Sequence, residues 1–276
     1  PDAFRRSNIG PIKWYKERHL REISLGSLLI LVLLRSLTLN LNRLHDAFLL
    51  SNCCAVLMNL SPHVVMLHDY AAMRLVSVAI SCVKKYIALV EREQRDGNQN
   101  GGSALTSDGE EDLNTLVGMY GEVSRTLLNV LRHCVSAKNL EKNLHVVYAL
   151  VYHQVDFFRI VASTNKAPKK TRKRFGFGKL TRLEQVIRGA DKLIQEHGDA
   201  RTAPKAMKVL QDGMESLQAE TASTDGGNNS ARQQDADGDF TFTYEEEADP
   251  EIFFIPYIWE VIVCCVTSSL MDWDAN

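Results

Sequence analysis

The chain has 276 residues, of which 45% are hydrophobic and 24% charged, and this composition is that of a globular protein with a sizeable core. A formal net charge of −2 gives no support to a general nucleic-acid binder or to an acidic solvating chain. The six cysteines show no Cys-x-x-Cys spacing and lie in apolar helical patterns, which indicates buried reduced thiols and excludes a disulfide framework.

Apolar residues at helical spacing predict a succession of helices from the start of the chain. The first runs from Ser24 to about Leu41, and the second from Asp46 to Leu60. Ser61 and Pro62 are typical of the cap and first turn of a third, long helix. The apolar stripe predicted for this helix consists of Val64, Leu67, Ala71, Leu75, Val78, Cys82, Tyr86 and Leu89.

Four further helical patterns follow the third. Three of them have apolar positions that begin at Leu113, Leu144 and Leu180, and a weaker pattern runs from Lys205 to Leu217. Polar, Gly-rich or basic composition predicts disordered loops at 92–111, 165–179 and 221–239. We therefore expect an all-α fold in a single helical domain over 1–276, either an α-solenoid-like array of the irregular HEAT or armadillo type or a compact helical bundle.

Two apolar stretches resemble membrane spans. Ile23 to Leu34 has only twelve uncharged residues before Arg35, whereas a bilayer requires roughly 20. The stretch 252–271 is long enough, but it contains Pro256 and Glu260, and a carboxylate near mid-membrane costs about 2.5–3.5 kcal/mol. We predict no transmembrane span.

The sequence offers no catalytic, metal-binding or cofactor-binding constellation. The run Asp235 to Asp239 is similar to a calcium loop, but its glycine stands at the fourth position instead of the sixth. A Ser-x-x-Lys match at Ser81 lies inside a predicted helix without its partner motifs, and the eight histidines form no metal-binding spacing. We expect a protein that is not an enzyme and needs no cofactor.

Eight basic residues and no acidic one lie between Lys166 and Arg182. Such a cluster is attracted to anionic lipid, and two interleaved phenylalanines can insert at the headgroup boundary. The same composition suits RNA or nuclear import, although the net charge disfavours nucleic acid, and a merely solvated loop is the third alternative. The candidate membrane-contact residues are Lys169, Lys170, Arg172, Lys173, Arg174, Phe175, Phe177 and Lys179.

An acidic run, Glu245 to Glu251, leads directly into an aromatic segment near the end of the chain. Large aromatic side chains need cover, which here comes from the core or from a partner. We predict a terminal packing or partner-binding face formed by Phe253, Phe254, Tyr257 and Trp259.

Three blocks of sequence resemble the dymeclin family of eukaryotic, Golgi-associated proteins. The first is 22–85, which includes the run His68-Asp69-Tyr70-Ala71-Ala72-Met73-Arg74; the second is Asn143 to Tyr152; the third is Phe242 to Trp259, with Pro250-Glu251-Ile252-Phe253-Phe254-Ile255-Pro256-Tyr257 at its centre. They occur in the family's order and cover about a third of the chain.

The resemblance implies a non-enzymatic, cytosol-facing protein that associates peripherally with Golgi membranes and supports Golgi organisation and vesicle trafficking. It implies partners at the Golgi membrane surface and among trafficking proteins. The family's N-terminal glycine, taken to be myristoylated, has no counterpart in this sequence, and we expect the chain to correspond to the C-terminal part of a longer protein. The basic segment is not part of the resemblance. The alternative function is a helical adaptor that binds RNA or nuclear import machinery through that segment.

Overall fold

The computed structural model describes residues 6–99, 107–166, 180–197 and 202–223, together with Ile255, Pro256, Ile258, Trp259 and Val263. The chain divides into two compact units, residues 1–240 and 241–276. The five described residues of the second unit are helical. The single domain over 1–276 remains a prediction.

The first unit opens with a short antiparallel pair of strands that the sequence patterns did not predict. Strand β1 (Asn8–Ile9) pairs with β2 (Ile23–Ser24), and a further bridge joins Ile12 to Leu20. Helix α1 (Leu25–Leu39) starts directly from β2, because the Ser24 side chain caps it by accepting a hydrogen bond from the Ser27 N–H. The strands therefore fix the segment before α1 on the helix.

Helices α1 and α2 lie where they were predicted, and they contact each other. A π-helical turn, Asn40–Leu44, extends α1, and helix α2 spans Ala47–Leu60. The side chain of Asp46 caps α2, while the Asn40 amide donates to the Asp46 carbonyl and accepts from its N–H. These bonds satisfy the polar backbone groups of the turn between the helices.

The third helix begins later than predicted. Ser61–His63 form a 3-10 turn, Val64 is extended, Met66 is left-handed with φ of 55°, and helix α3 starts only at Asp69 and runs to Gln99. Helix α4 (Ser107–Cys134) follows it. Both helices extend into the range 92–111 that was predicted as a loop, and residues 100–106 lie outside the described part.

In the described part of the first unit, five shorter helices follow: α5 (Leu144–Tyr152), α6 (Gln154–Lys166), α7 (Leu180–Glu196), α8 (Ala203–Asp212) and α9 (Met214–Ser223). The pattern starting at Leu144 had predicted one continuous helix, but it is broken at His153 between α5 and α6. A second break falls at Gly213, where a β-carbon would stand 2.9 Å from the end of the Leu193 side chain, so a larger residue there would require that side chain to shift.

Successive helical pairs stack on one another. Helix α1 packs on α3 and α2 on α4; α3 then packs on α5 and α6, and α4 on α7. One buried apolar cluster runs through these contacts from Ile12 to Leu217. The described residues thus confirm the helical class, and the stacking order accords with an array, but the solenoid type remains a prediction.

One helix in the described part is long and apolar enough to cross a membrane by length and composition. It is Leu25–Leu44, whose helical course continues through Arg35, with a mean hydropathy of 1.6 over its apolar window. Leu31, Leu34 and Leu37 are fully buried on the side that packs against α3. We interpret it as a core helix, since core helices of soluble proteins pass the same test.

Candidate functional site

The residues predicted to contact membranes all lie outside the described part of the chain. Their segment, 167–179, lies between α6 and α7 in the sequence. The flanking residues Thr164 and Leu180 are buried, and α6 and α7 contact each other. The structure therefore describes the helices before and after the basic segment, and the membrane-contact role stays a prediction.

The predicted terminal face is described at one of its four residues. Trp259 is helical and 62% exposed, whereas Phe253, Phe254 and Tyr257 lie outside the described residues. Ile255 and Ile258 are also about half exposed. The terminal packing or partner role remains a prediction for the group as a whole.

A polar and aromatic cluster, here called the Glu17 cluster, joins the segment before α1 to helices α1 and α3. The Glu17 carboxylate accepts hydrogen bonds from the hydroxyls of Tyr15 (3.1 Å) and Tyr70 (3.4 Å). It also lies 3.9 Å from Arg35 on α1 and 3.7 Å from Arg74 on α3. One carboxylate thus links three parts of the chain.

Aromatic and cationic packing reinforces the Glu17 cluster. Tyr15 is 3% exposed and lies edge-on to Tyr70 at 6.1 Å, with the Arg35 guanidinium 5.8 Å from its ring centre. Burial is the main reason that the pKa of Tyr15 is raised, with the Tyr70 hydroxyl and the Glu17 carboxylate adding to it. The Tyr15 hydroxyl therefore stays protonated and serves as a hydrogen-bond donor.

A smaller set of charges borders the Glu17 cluster at the start of α3. Asp69 lies 2.8 Å from His68 Nδ1 and 3.8 Å from the Arg18 guanidinium, which also stands over the Tyr70 ring at 5.1 Å. A carboxylate in the first turn is favourable because it faces the positive end of the helix dipole. The His68–Asp69 pair thus has a structural explanation.

Two buried asparagines tie the loop before α3 to the turn before α5. The Asn143 amide donates to the carbonyls of Val64 (2.8 Å) and Cys134 (3.2 Å), and its oxygen accepts weakly from the Leu67 N–H at 3.5 Å. The Asn139 amide donates to the carbonyl of Pro62 at 3.3 Å. These bonds hold the loop in its non-helical course and thereby delay the start of α3.

A cavity of about 240 Å³ lies between β1, the start of α1 and the same loop. Ile30, Leu60, Val64 and Met66 contribute apolar lining, and Arg6 is among the polar lining residues. Ser24, Ser27 and His63 also line the cavity, and the hydroxyls of the two serines are hydrogen-bonded to each other at 2.9 Å.

The described cysteines are unsuited to nucleophilic chemistry. Cys53, Cys54, Cys82 and Cys134 are all buried, and burial raises the pKa of the last three to about 12. Within the described ranges, no group of three His, Cys, Asp or Glu side chains converges to hold a metal ion. The four described cysteines therefore contribute to the packing of the core.

Sequence patterns missed the Glu17 cluster and the asparagine bonds. Glu17 and Tyr15 precede the first predicted helix, and their partners are 18 to 57 positions away, so no periodicity joins them. The available indication was the run His68 to Arg74, which contains two of the partners and belongs to the blocks that carry the resemblance.

One family model and several known proteins match most of this chain. The family model described as "Dymeclin: Dyggve-Melchior-Clausen syndrome protein" matches residues 5–261. The dymeclin of Xenopus laevis is 32% identical over 269 residues, which cover 95% of this chain and 36% of that protein. The dymeclin of Gallus gallus is 30% identical with the same coverage.

A shorter and more similar match comes from Dictyostelium discoideum, whose dymeclin is 49% identical over 78 residues, 28% of this chain and 8% of that protein. The chain spans 36% of the length of the vertebrate relatives cited above. No solved structure matches it.

Proposed function

The chain belongs to the dymeclin family, and from this premise we propose that it is a non-enzymatic helical scaffold that supports Golgi organisation and vesicle trafficking. The observation that carries the proposal is the family match over residues 5–261. The stacked helices support it, because stacked helices with short turns create extended surfaces suited to holding partners. The proposed location is the cytosolic side of Golgi membranes, with trafficking proteins as partners.

The basic segment supplies the proposed contact with the membrane. Lys and Arg near an anionic surface contribute about 1 kcal/mol each, and two phenylalanines add an apolar anchor. A single acyl chain binds membranes only marginally, so a second, basic attachment is physically reasonable if the protein is also myristoylated. Helices α6 and α7 would present the segment from a fixed base.

Imaging tests the proposed location. A tagged full-length protein should overlap a Golgi marker, and a variant in which the six bases Lys169, Lys170, Arg172, Lys173, Arg174 and Lys179 are alanine should be more diffuse. Nuclear signal without Golgi overlap would contradict the proposal and favour the RNA or import alternative.

Liposome binding tests the membrane contact itself. The six-alanine variant should bind anionic vesicles at least about a hundredfold more weakly at low salt, because it loses six attractions of about 1 kcal/mol each. A matched control replaces six dispersed, exposed lysines with alanine and has the same net charge: Lys13, Lys16, Lys85, Lys138, Lys142 and Lys208. If both variants lose affinity equally, net charge explains the binding and the segment has no special role.

A further inference from the structure

Helix α1 is apolar on the side that faces away from the core. Leu25, Leu29, Val32, Ser36 and Leu39, here called the outer stripe, lie opposite the buried face. Leu29 is 38% and Leu39 47% exposed, and Leu25, Val32 and Ser36 are partly exposed. A helix that is apolar on both sides normally has a neighbour on both sides. We propose that the outer stripe is an interface with a second copy of this chain.

The spacing within the outer stripe is that of a helix-packing seam. Its positions follow one another at intervals of four, three, four and three residues, which is the seven-residue repeat of a coiled coil. From Leu25 to Leu39 the stripe is about 21 Å long at 1.5 Å per residue. The outer stripe therefore fits a straight helix whose own apolar side chains have the same repeat.

A second copy of α1 supplies such a ridge when it runs antiparallel. A two-fold axis at Val32 places Leu25 opposite Leu39 of the other copy and Leu29 close to its Ser36. The large side chain meets the small one, so the stripe is complementary to itself, as a two-fold interface requires. Two exposed side chains of opposite charge, Glu22 and Arg43, flank the two ends of α1, so an antiparallel pairing brings the Glu22 end of one copy to the Arg43 end of the other. Within one chain, the Glu22 carboxylate accepts a hydrogen bond from the Asn8 amide at 2.8 Å.

A bilayer does not fit the outer stripe equally well. A membrane span needs apolar cover around the whole helix, but the other side of α1 is in the core. Arg35 is exposed beside the stripe, paired with Glu17 at 3.9 Å, and Arg43 closes one end. A narrow apolar seam bordered by charge is the usual form of a helix–helix contact.

Sedimentation of the 276-residue chain between about 1 and 100 μM tests this proposal, because a two-helix contact is small and should dissociate in the micromolar range. We expect a monomer–dimer equilibrium. Leu29→Glu should weaken the dimer at least about tenfold, since the charge would be buried against Ser36 of the other copy. Val155→Glu, a control at a 61% exposed position on α6, should leave the equilibrium unchanged.

A charge exchange tests the antiparallel direction. Glu22→Arg alone should weaken the dimer, and adding Arg43→Glu should restore it. Thermal unfolding of each variant checks that the fold is intact, and a Ser36→Thr variant provides a milder change if Leu29→Glu fails to fold. Failure of the double variant to recover would overturn the antiparallel pairing.

Three results would overturn the proposal as a whole. The first is a chain that stays monomeric at about 100 μM. The second is a monomer that binds vesicles through Leu29, which would assign the stripe to lipid. The third is a monomeric Leu29→Cys variant whose new thiol resists maleimide, which would show that another segment covers the stripe. None of these results affects the Golgi proposal, which rests on other residues.

Discussion

Asn143 is a buried polar residue whose amide makes contacts with three separated points of the backbone. A buried amide is tolerated only where its hydrogen bonds are made, and here the partners are two loop groups and the carbonyl of the last residue of α4, which has no partner within its helix. The apolar helical pattern after Asn143 indicated that this segment is buried. It did not indicate the hydrogen-bond partners of Asn143, since Val64 is 79 positions away in the sequence.

Replacing Asn143 with alanine should lower the free energy of unfolding by about 2–3 kcal/mol, because two buried carbonyls lose their donor. Asn59→Ala is the control, since Asn59 is exposed on α2 and should change stability by less than about 0.5 kcal/mol. Urea unfolding measures both. Equal effects would mean that the amide bonds of Asn143 contribute no special stability.

His153, at the break between α5 and α6, predicts a dependence of stability on pH. Burial lowers its pKa below the ordinary 6.5, with Asp156 opposing the shift and Lys84 adding to it. As the pH falls, His153 therefore binds a proton in the unfolded chain at a higher pH than in the folded chain. The free energy of unfolding should then fall as the pH drops below about 6.5.

His153→Gln should reduce the loss of stability between pH 7.5 and 5.5, measured by urea unfolding at both values. His19→Gln, at an exposed position, is the control. A slope that is the same in both variants and the unsubstituted chain would assign the pH dependence to other groups.

At the scale of elements, apolar periodicity predicted the helices but misplaced several boundaries, two of which have a physical explanation. The third helix was expected to begin at Pro62. Val64 and Leu67 are indeed buried, but they belong to the loop before α3. Burial alone cannot distinguish a loop from a helix. The helix from Leu144 to Phe158 was expected to be continuous, and Val155 at 61% exposure shows that its phase changes after His153. Both misplacements occur where long-range hydrogen bonds or packing override the local pattern.

The segment before α1 should contribute to stability chiefly through the ring of Tyr15. Tyr15→Ala should cost about 3–5 kcal/mol because it leaves a cavity between α1 and α3. Tyr15→Phe keeps the ring and should cost about 1 kcal/mol or less.

Urea unfolding and hydrogen exchange over residues 8–24 measure the two effects of the Tyr15 variants. Similar, small costs for both would show that the segment detaches independently of the helices. Similar, large costs would show that the hydroxyl bond to Glu17, and not the packing of the ring, is what matters.

For the whole molecule, the helical class could be inferred from the long apolar patterns in the sequence. The family could be inferred from the three blocks of residues that occur in the family's order. The order in which the helical pairs stack could not, since α1 on α3 and α2 on α4 are contacts between separate elements. The basic and aromatic candidates of 169–179 and 253–259 remain predictions, with Trp259 the one described member.

Trp259 offers a measurement on the second unit. With 62% of the residue exposed, Trp259→Ala should cost less than about 1 kcal/mol of stability, as surface substitutions do. A cost of about 3–5 kcal/mol would instead show that the ring belongs to a core. Denaturant unfolding decides between a surface face and a packing role.

The four cysteines in the described part of the chain are buried between the helices, and their reactivity reports on opening of the fold. A thiol whose pKa is about 12 has almost no thiolate at neutral pH, and side chains enclosed by helices are inaccessible to reagents. Cys82 on α3 and Cys134 on α4 can therefore be alkylated only when the central pair of helices opens. Their rate of modification, resolved by peptide mass, reports how often the centre of this molecule comes apart under conditions in which it is otherwise folded.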